Sequence, residues 1–398
     1  MAFTKAFIPY GGYWSSPFSK WQGSFANLHA VELAAKTGKK FFELKKIDPM
    51  KLDNLYFGIT IPQTSVFYGG PWIAAMLGNP NITGPMIGQA CITGITVTKM
   101  ATQDIENGLV SASLAITADR CSNGPHMVFA SQAKPGATPD SEDWVWDNFG
   151  HDPWAKNSML QTAENVAAEH GVKKEQMDEV TARRYEQYAM SLENDRAFQR
   201  RYMIPVEVGK GKRAKTIEGD EGIFPTTLEG LQKLKPVLPD GQVSFGSQTH
   251  PADGNAGLIV ATREMATEMS IDKNITIQVL GFGTARTKKG FMAAAMVPAA
   301  KAALEHAGLK PSDMKAVKTH NPFAVNDIVL AKELELDLDN MNNYGCSLVF
   351  GHPQGPTALR TVIELIEELV AAGGGYGMFS GCAAGDTAAG LIIKVSGK

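Results

Sequence analysis

Two stretches of this chain share a length and a layout, and no other feature constrains the fold as strongly. From Cys91 to Asp119 runs a helix-spaced segment over residues 92–108, broken at Gly108 and followed by the β-compatible run LVSASLAITA. From His352 to Gly381 the same order returns. Residues 355–372 carry apolar side chains at Leu359, Val362, Ile363, Ile366, Leu369 and Val370, a helical stripe. Gly373–Gly375 stop it, YGMFSG reads as a strand, and AAGLIIKV reads as a final strand. The spans are 28 and 29 residues (119 less 91, 381 less 352). A helix–strand unit used twice predicts a duplicated α/β layer.

Between the repeats the composition changes. Residues 121–250 hold the tryptophan-rich DWVWDNFGHDPW, a polar helix near 173–198 and a basic segment, GKGKRAK, at 209–215. We therefore divide the chain into an N-terminal half (1–120), an inserted loop domain (121–250) and a C-terminal half (251–398). A length of 398 residues suits roughly two to three domains. Hydrophobic residues at 44% and charged residues at 20% exclude a disordered or fibrous chain. With 38 basic against 41 acidic residues and no basic stripe, nucleic acid is not an expected partner. No apolar run approaches the roughly 18 residues of a membrane span, so no membrane partner is expected either. The start, MAFTKAFIPYGGYW, lacks the pattern of a signal peptide. Cys91, Cys121, Cys346 and Cys382 form no CxxC pair, so neither a metal site nor a disulfide framework is expected. Free thiols and 17 methionines fit a cytoplasmic protein.

Four places carry chemistry. Gly88-Gln89-Ala90-Cys91-Ile92-Thr93-Gly94 puts a cysteine at a helix start, where the dipole and free N–H groups are expected to favour thiolate. Most free cysteines are small buried hydrophobes, and Cys91 alone would be read so. Gly351-His352-Pro353-Gln354-Gly355 fixes an imidazole between helix breakers, suited to a base that must reach a nucleophile or equally to a cap. Ser380-Gly381-Cys382-Ala383-Ala384-Gly385 sets a second thiol in a tight turn between two strands, a proton carrier or a space filler. Thr319-His320-Asn321-Pro322-Phe323 is a polar pair entering a turn. Lys210, Lys212, Arg213 and Lys215 could meet phosphates, but charge runs more often form a solvated hairpin.

Taken together, these residues resemble the thiolase family along nearly the whole chain. TAENVAAEHGVKKEQMDE (162–179), IPVEV (204–208), TTLEGLQKLKPV (226–237), GHPQG (351–355), the Cys91 region and SGCAAGD follow that family's blocks in order and spacing. The resemblance implies a five-layer α/β/α/β/α fold with a loop domain, no cofactor, and coenzyme A as a substrate. Carried over by position, Cys91 is the acyl-accepting nucleophile and Cys382 the acid/base cysteine. His352 activates Cys91 and helps bind the thioester oxygen. Met159, Ser247, Thr249 and Phe323 line the pantetheine tunnel, and the Ala384 N–H serves an oxyanion.

Departures from the family pattern point to the substrate. His320-Asn321-Pro322-Phe323 replaces Asn-Glu-Ala-Phe, so His320 takes the place of the asparagine that orients an oxyanion-hole water. This is similar to the sterol-carrier-protein-type and archaeal branch, whose members often work beside a small OB-fold, zinc-ribbon accessory protein. His250 stands at a usual glycine, Ala384 at another, Ser158 at a histidine and Phe224 at an arginine. His250 beside the acyl pocket, with Trp144, Trp146, Phe149 and Trp154, suits a branched aromatic substrate such as that of the benzoylsuccinyl-CoA thiolases. A generic acetoacetyl-CoA thiolase and a silent lipid-binding or scaffolding subunit are the rival readings. Cys382 argues against a condensing synthase, and Cys91, His352 and Cys382 together argue against a silent subunit. The family implies a homodimer or higher homo-oligomer.

Overall fold

A computed structural model describes residues 2–131 and 136–397. Both expected repeat units are present. Residues Thr93–Glu106 form a helix leading to the strand Ala112–Arg120, and Gly355–Ala371 form a helix leading to the strand Gly375–Ala383. Each strand has a parallel neighbour on one side, Asn54–Gly58 in the first half and Met314–His320 in the second. Each has an antiparallel neighbour on the other, Ala252–Ala261 and Thr387–Ser396. In the first half the register runs without interruption from Ala112 opposite Ala261 to Arg120 opposite Asp253. The short strand Phe7–Ile8 pairs with Ala252–Ala261 and with Thr276–Arg286, joining the halves into one sheet system.

The layers follow from which faces are apolar. Helices Ala30–Lys45 and Gly69–Leu77 cover one outer face through Val31, Phe41, Phe42, Ile73 and Leu77. Helices Met296–Ala307 and Ala324–Leu334 cover the other through Met296, Ala299, Ala303 and Leu330. The two repeat helices lie between the sheets, where Ile92, Ile95, Val97, Leu359, Ile363 and Ile366 meet the inner faces of both. The order is therefore helix, sheet, helix, sheet, helix. The central helices approach so closely that a Cβ on Gly94 would lie 2.8 Å from the Gly355 carbonyl oxygen. Only glycine fits there.

The basic segment at 209–215 lies in a hairpin formed by Val206–Val208 and Lys215–Ile217. The polar helix spans Lys174–Arg196, with a break at Glu193–Asp195. Among the described residues no helix is long and apolar enough to cross a membrane.

Candidate active site

The C-terminal ends of the parallel strands and the N-termini of the two central helices meet at one cavity of about 1570 Å³. Cys91 is half-buried in its wall, in a one-turn 3-10 segment Ala90–Ile92 just ahead of the helix rather than on its first turn. That segment is strained: Ala90 has a φ of 44°, a left-handed conformation that alanine rarely adopts. Thr93 pins it, its hydroxyl donating to the Ala90 carbonyl at 2.7 Å and accepting the Gln89 N–H at 2.8 Å.

The expected lowering of the Cys91 pKa does not occur. Desolvation pushes the thiol up to about 12, against the pull of the Ala384 and Cys91 backbone N–H groups that face the sulfur. Cys91 stands two residues before the first helical residue, Thr93, and the loss of water around its sulfur penalises the thiolate more than the helix end favours it. The resting Cys91 side chain is a thiol.

His352 projects beside it. Its backbone N–H donates to the His250 carbonyl at 2.8 Å, and its Nδ1 shares a 2.6 Å hydrogen bond with Thr357 Oγ1. Nε2 is buried without a partner. Burial drives this imidazole down to about 3, so it is neutral and able to accept a proton. The His320 ring is tilted against it with centroids 4.2 Å apart, and burial followed by repulsion from His352 holds it well below its ordinary value. Cys91 Sγ and one ring nitrogen each of His320 and His352 all lie within 4.8 Å of one another. Among the described residues no other group of three His, Cys, Asp or Glu side chains is placed to hold a metal ion, and here an ion would have to bind the Cys91 sulfur.

Cys382 sits in the strand Gly375–Ala383, two residues before the turn, not in the turn as expected. It is fully buried, receives Asn326 Nδ2 at 3.3 Å, and its pKa is raised well above the ordinary thiol value by burial and then by Cys91 nearby. A thiol so disposed keeps its proton at neutral pH.

Met159, Thr249, His250, Phe323 and Ala384 line the cavity. Ser247 is one layer behind, fully buried, with its Oγ accepting the Ser244 N–H at 3.0 Å. Trp144, Trp146 and Phe149 reach the wall, while Trp154 is 63% exposed and lies under Lys289 outside it. Trp144 is fixed by its indole N–H on the Thr60 carbonyl at 2.9 Å, and Trp146 meets Trp21 edge to face at 5.6 Å.

Two residues escaped the sequence reading. Gln354 stands at φ 65°, and its Oε1 accepts the Cys91 S–H at 3.4 Å while its Nε2 is buried without a partner. The signal was present, a glutamine inside the histidine turn, but nothing in sequence spacing shows a side chain folding back on a thiol 263 residues away. Asp119, read only as a strand end, accepts the N–H groups of Thr60, Ile61 and Gly355 at 2.8–2.9 Å. It thereby ties the first repeat strand to the start of the second central helix. Burial raises its carboxyl to about 7 despite those donors.

The fold and its solved neighbours define the class, a five-layered acyltransferase. A family model described as thiolase, N-terminal domain, matches residues 14–264, and one described as thiolase, C-terminal domain, matches 273–395. The chain belongs to the thiolase family. It is 27% identical over 385 residues to the mitochondrial 3-ketoacyl-CoA thiolase of Homo sapiens, covering 95% of this chain and 96% of that one. To the beta-ketoadipyl-CoA thiolase of Pseudomonas knackmussii it is 28% identical over 380 residues, covering 92% and 94%. The crystal structure of the human mitochondrial 3-ketoacyl-CoA thiolase in complex with CoA superposes with a TM-score of 0.90 at 26% identity, over 100% of this chain and 99% of that one. The Bacillus anthracis acetyl-CoA acetyltransferase also gives 0.90, at 25% identity over 99% of each chain.

Proposed function

We propose that this protein cleaves a 3-oxoacyl-CoA with free coenzyme A, through an acyl-cysteine intermediate. The observation that carries it is the Cys91–His320–His352 cluster, three reactive atoms within 4.8 Å of one another, with the Ala384 N–H on the sulfur. The similarity to 3-ketoacyl-CoA and beta-ketoadipyl-CoA thiolases supports the substrate class.

The steps follow from the protonation states. Cys91 gives its proton to His352 as its sulfur attacks the 3-keto carbon, and the oxyanion gathers on the N–H groups near Cys91 and Ala384. Each such donor contributes about 3–4 kcal/mol to a transition state of this kind. The bond between the α-carbon and the former ketone carbon breaks. Its electron pair passes to the α-carbon, which takes the Cys382 proton, and the acyl group stays on Cys91. The CoA thioester that carries the α-carbon leaves. Incoming coenzyme A loses its thiol proton to Cys382 and attacks the acyl-enzyme, and Cys91 recovers its proton from His352. His352, with a water oriented by His320, stabilises the thioester enolate. The same steps reversed give Claisen condensation.

Within that class we assign a branched aromatic substrate such as benzoylsuccinyl-CoA, giving benzoyl-CoA and succinyl-CoA. Trp144, Trp146 and Phe149 on the cavity wall favour a flat acyl group, with edge or offset contacts of about 0.5–1.5 kcal/mol each. The buried, unpartnered Nε2 atoms of His250 and Gln354 favour a polar branch on it. From the resemblance of His320-Asn321-Pro322-Phe323 to the sterol-carrier-protein-type and archaeal branch we also infer a homodimer or higher homo-oligomer, with an OB-fold zinc-ribbon protein as its candidate accessory subunit. A monomer by light scattering would remove the dimer, and full activity of the chain alone would remove the accessory subunit.

The deciding experiment compares kcat/KM for benzoylsuccinyl-CoA, acetoacetyl-CoA and a straight-chain 3-oxoacyl-CoA. Preference for either simple chain leaves a generic acetyl-CoA C-acyltransferase. No cleavage of any, with accessory subunit added, favours the scaffold. Cys91→Ser is expected to lose at least about 10³-fold in rate, and mass spectrometry to find the acyl group on Cys91 alone.

A further inference from the structure

The hydrogen bonds behind His320 can be assigned proton by proton. Asp327, fully buried, receives Arg184 Nε at 2.8 Å, Asn321 Nδ2 at 2.8 Å and Asn342 Nδ2 at 3.1 Å on one oxygen, and Thr319 Oγ1 at 2.6 Å on the other. A guanidinium only donates, so Asp327 is an acceptor and Asn321 must turn its NH₂ toward it. Asn321 Oδ1 therefore faces the other way, where it accepts the Leu348 N–H at 3.2 Å and the Ser347 hydroxyl at 3.1 Å. Ser347 has one hydroxyl proton and two acceptors in reach, Asn321 Oδ1 at 3.1 Å and His320 Nδ1 at 2.9 Å, and the proton is assigned to the bond to Asn321. Its oxygen accepts the Asn321 N–H at 3.1 Å, and its remaining neighbour is His320 Nδ1 at 2.9 Å. An oxygen whose proton is committed elsewhere can only accept, so the hydrogen of that last bond sits on Nδ1. In a neutral imidazole the other nitrogen is then bare. That nitrogen, Nε2, is buried and has no protein partner.

We propose that Asp327, Asn321 and Ser347 are positioning residues that hold His320 as its Nδ1–H tautomer, so that Nε2 offers a lone pair to the reacting centre beside Cys91. The consequence rests on the thiolase reading above. His320 does not itself donate to the oxyanion. It accepts one hydrogen of a water and turns the other toward the thioester oxygen. A ring held in the opposite tautomer would donate through Nε2 and could not orient such a water.

The test is ring-¹⁵N NMR of the full chain labelled at histidine, with the His320 signals assigned by their loss in His320→Gln. The expected spectrum shows a bare Nε2 and a protonated Nδ1 at neutral pH. Ser347→Ala removes the acceptor, and the Nε2–H form is expected to appear. In that variant kcat should fall about 10- to 100-fold, the usual cost of losing a group that orients a reacting side chain, with little change in KM. Ser347→Thr, which keeps the hydroxyl, should restore both the tautomer and the rate. A protonated Nε2 in the wild-type protein overturns the proposal, as does an unchanged tautomer in Ser347→Ala. Should Ser347→Ala not fold, the wild-type spectrum decides. A bare Nε2 in a chain that cleaves no 3-oxoacyl-CoA would sink the function and leave the tautomer standing.

Discussion

Cys91 and His352 differ by about nine pH units in the direction opposite to a preformed ion pair, about 12 for the thiol and about 3 for the imidazole. Each is held neutral because its charged form would lie in a cavity away from water. In the proposed reaction charge then arises only as the sulfur attacks, when the N–H groups of Cys91 and Ala384 have an oxyanion to receive. Alkylation of Cys91 by iodoacetamide in the free enzyme is therefore expected to accelerate about tenfold per pH unit between pH 6 and 9, following the thiolate fraction. A rate that is already flat from pH 5 upward would show a thiolate–imidazolium pair and remove the neutral resting state. Identity and protonation separate here. Cys91, His352 and Cys382 stand out from their glycine-flanked turns, but the sign of the Cys91 shift depends on groups from distant segments that desolvate its sulfur. Spacing along the chain does not carry that information.

The helix Gly355–Ala371 shows how far an element can be read. Its stripe of Leu359, Val362, Ile363, Ile366, Leu369 and Val370 predicted the helix and its inward face. A stripe of this kind usually leaves the opposite, polar face in water. The helix is instead in the middle layer, and Arg360, Glu364, Glu367 and Glu368 are buried as well. They are accommodated by ion pairs, phenols and, at Glu368, the Asn343 amide at 2.9 Å. Arg360 holds Asp220 through both terminal nitrogens at 2.6 and 2.7 Å, and Glu364 receives Tyr202 at 2.7 Å and Lys318 at 3.3 Å. Tyr13 donates to Glu367 at 2.7 Å. Sequence shows the charges but not their partners, which come from segments scattered across the chain. Because Asp220 is the bidentate partner of a fully buried guanidinium, Asp220→Ala is expected to lower stability by about 3–5 kcal/mol. In urea this should appear as a lower midpoint with an unchanged slope. A loss under about 1 kcal/mol would mean that solvent reaches Arg360 and that the network is not closed.

At the scale of the molecule, five layers bury the imidazoles of His320 and His352, and the whole fold bears the consequence. Unfolded, each histidine titrates near about 6.5. Folded, His352 titrates at about 3, and His320 is also held well down, first by burial and then by its neighbour's ring. Between these values the unfolded chain binds protons that the native state refuses. Their contribution is therefore complete above about pH 6.5 and is lost as the pH falls toward 3, by up to about 1.4 kcal/mol per pH unit for each histidine. Asp119 and Asp253 act with the opposite sign. Burial lifts their carboxyls to about 7 and about 6, so the native state holds protons there that the unfolded chain releases. That contribution is complete at low pH and fades as the pH rises through those values. The wild-type slope is thus a net of opposing groups, and a difference between two proteins isolates one of them. Urea midpoints of the wild type and of His352→Asn, each measured at pH 7 and pH 5, supply it. The variant, with no imidazole at that position, is expected to lose less stability on acidification, by about 1–2 kcal/mol over the interval. Equal losses in both proteins would mean that His352 takes up its proton in the native state, and with that the neutral acceptor beside Cys91 would be gone.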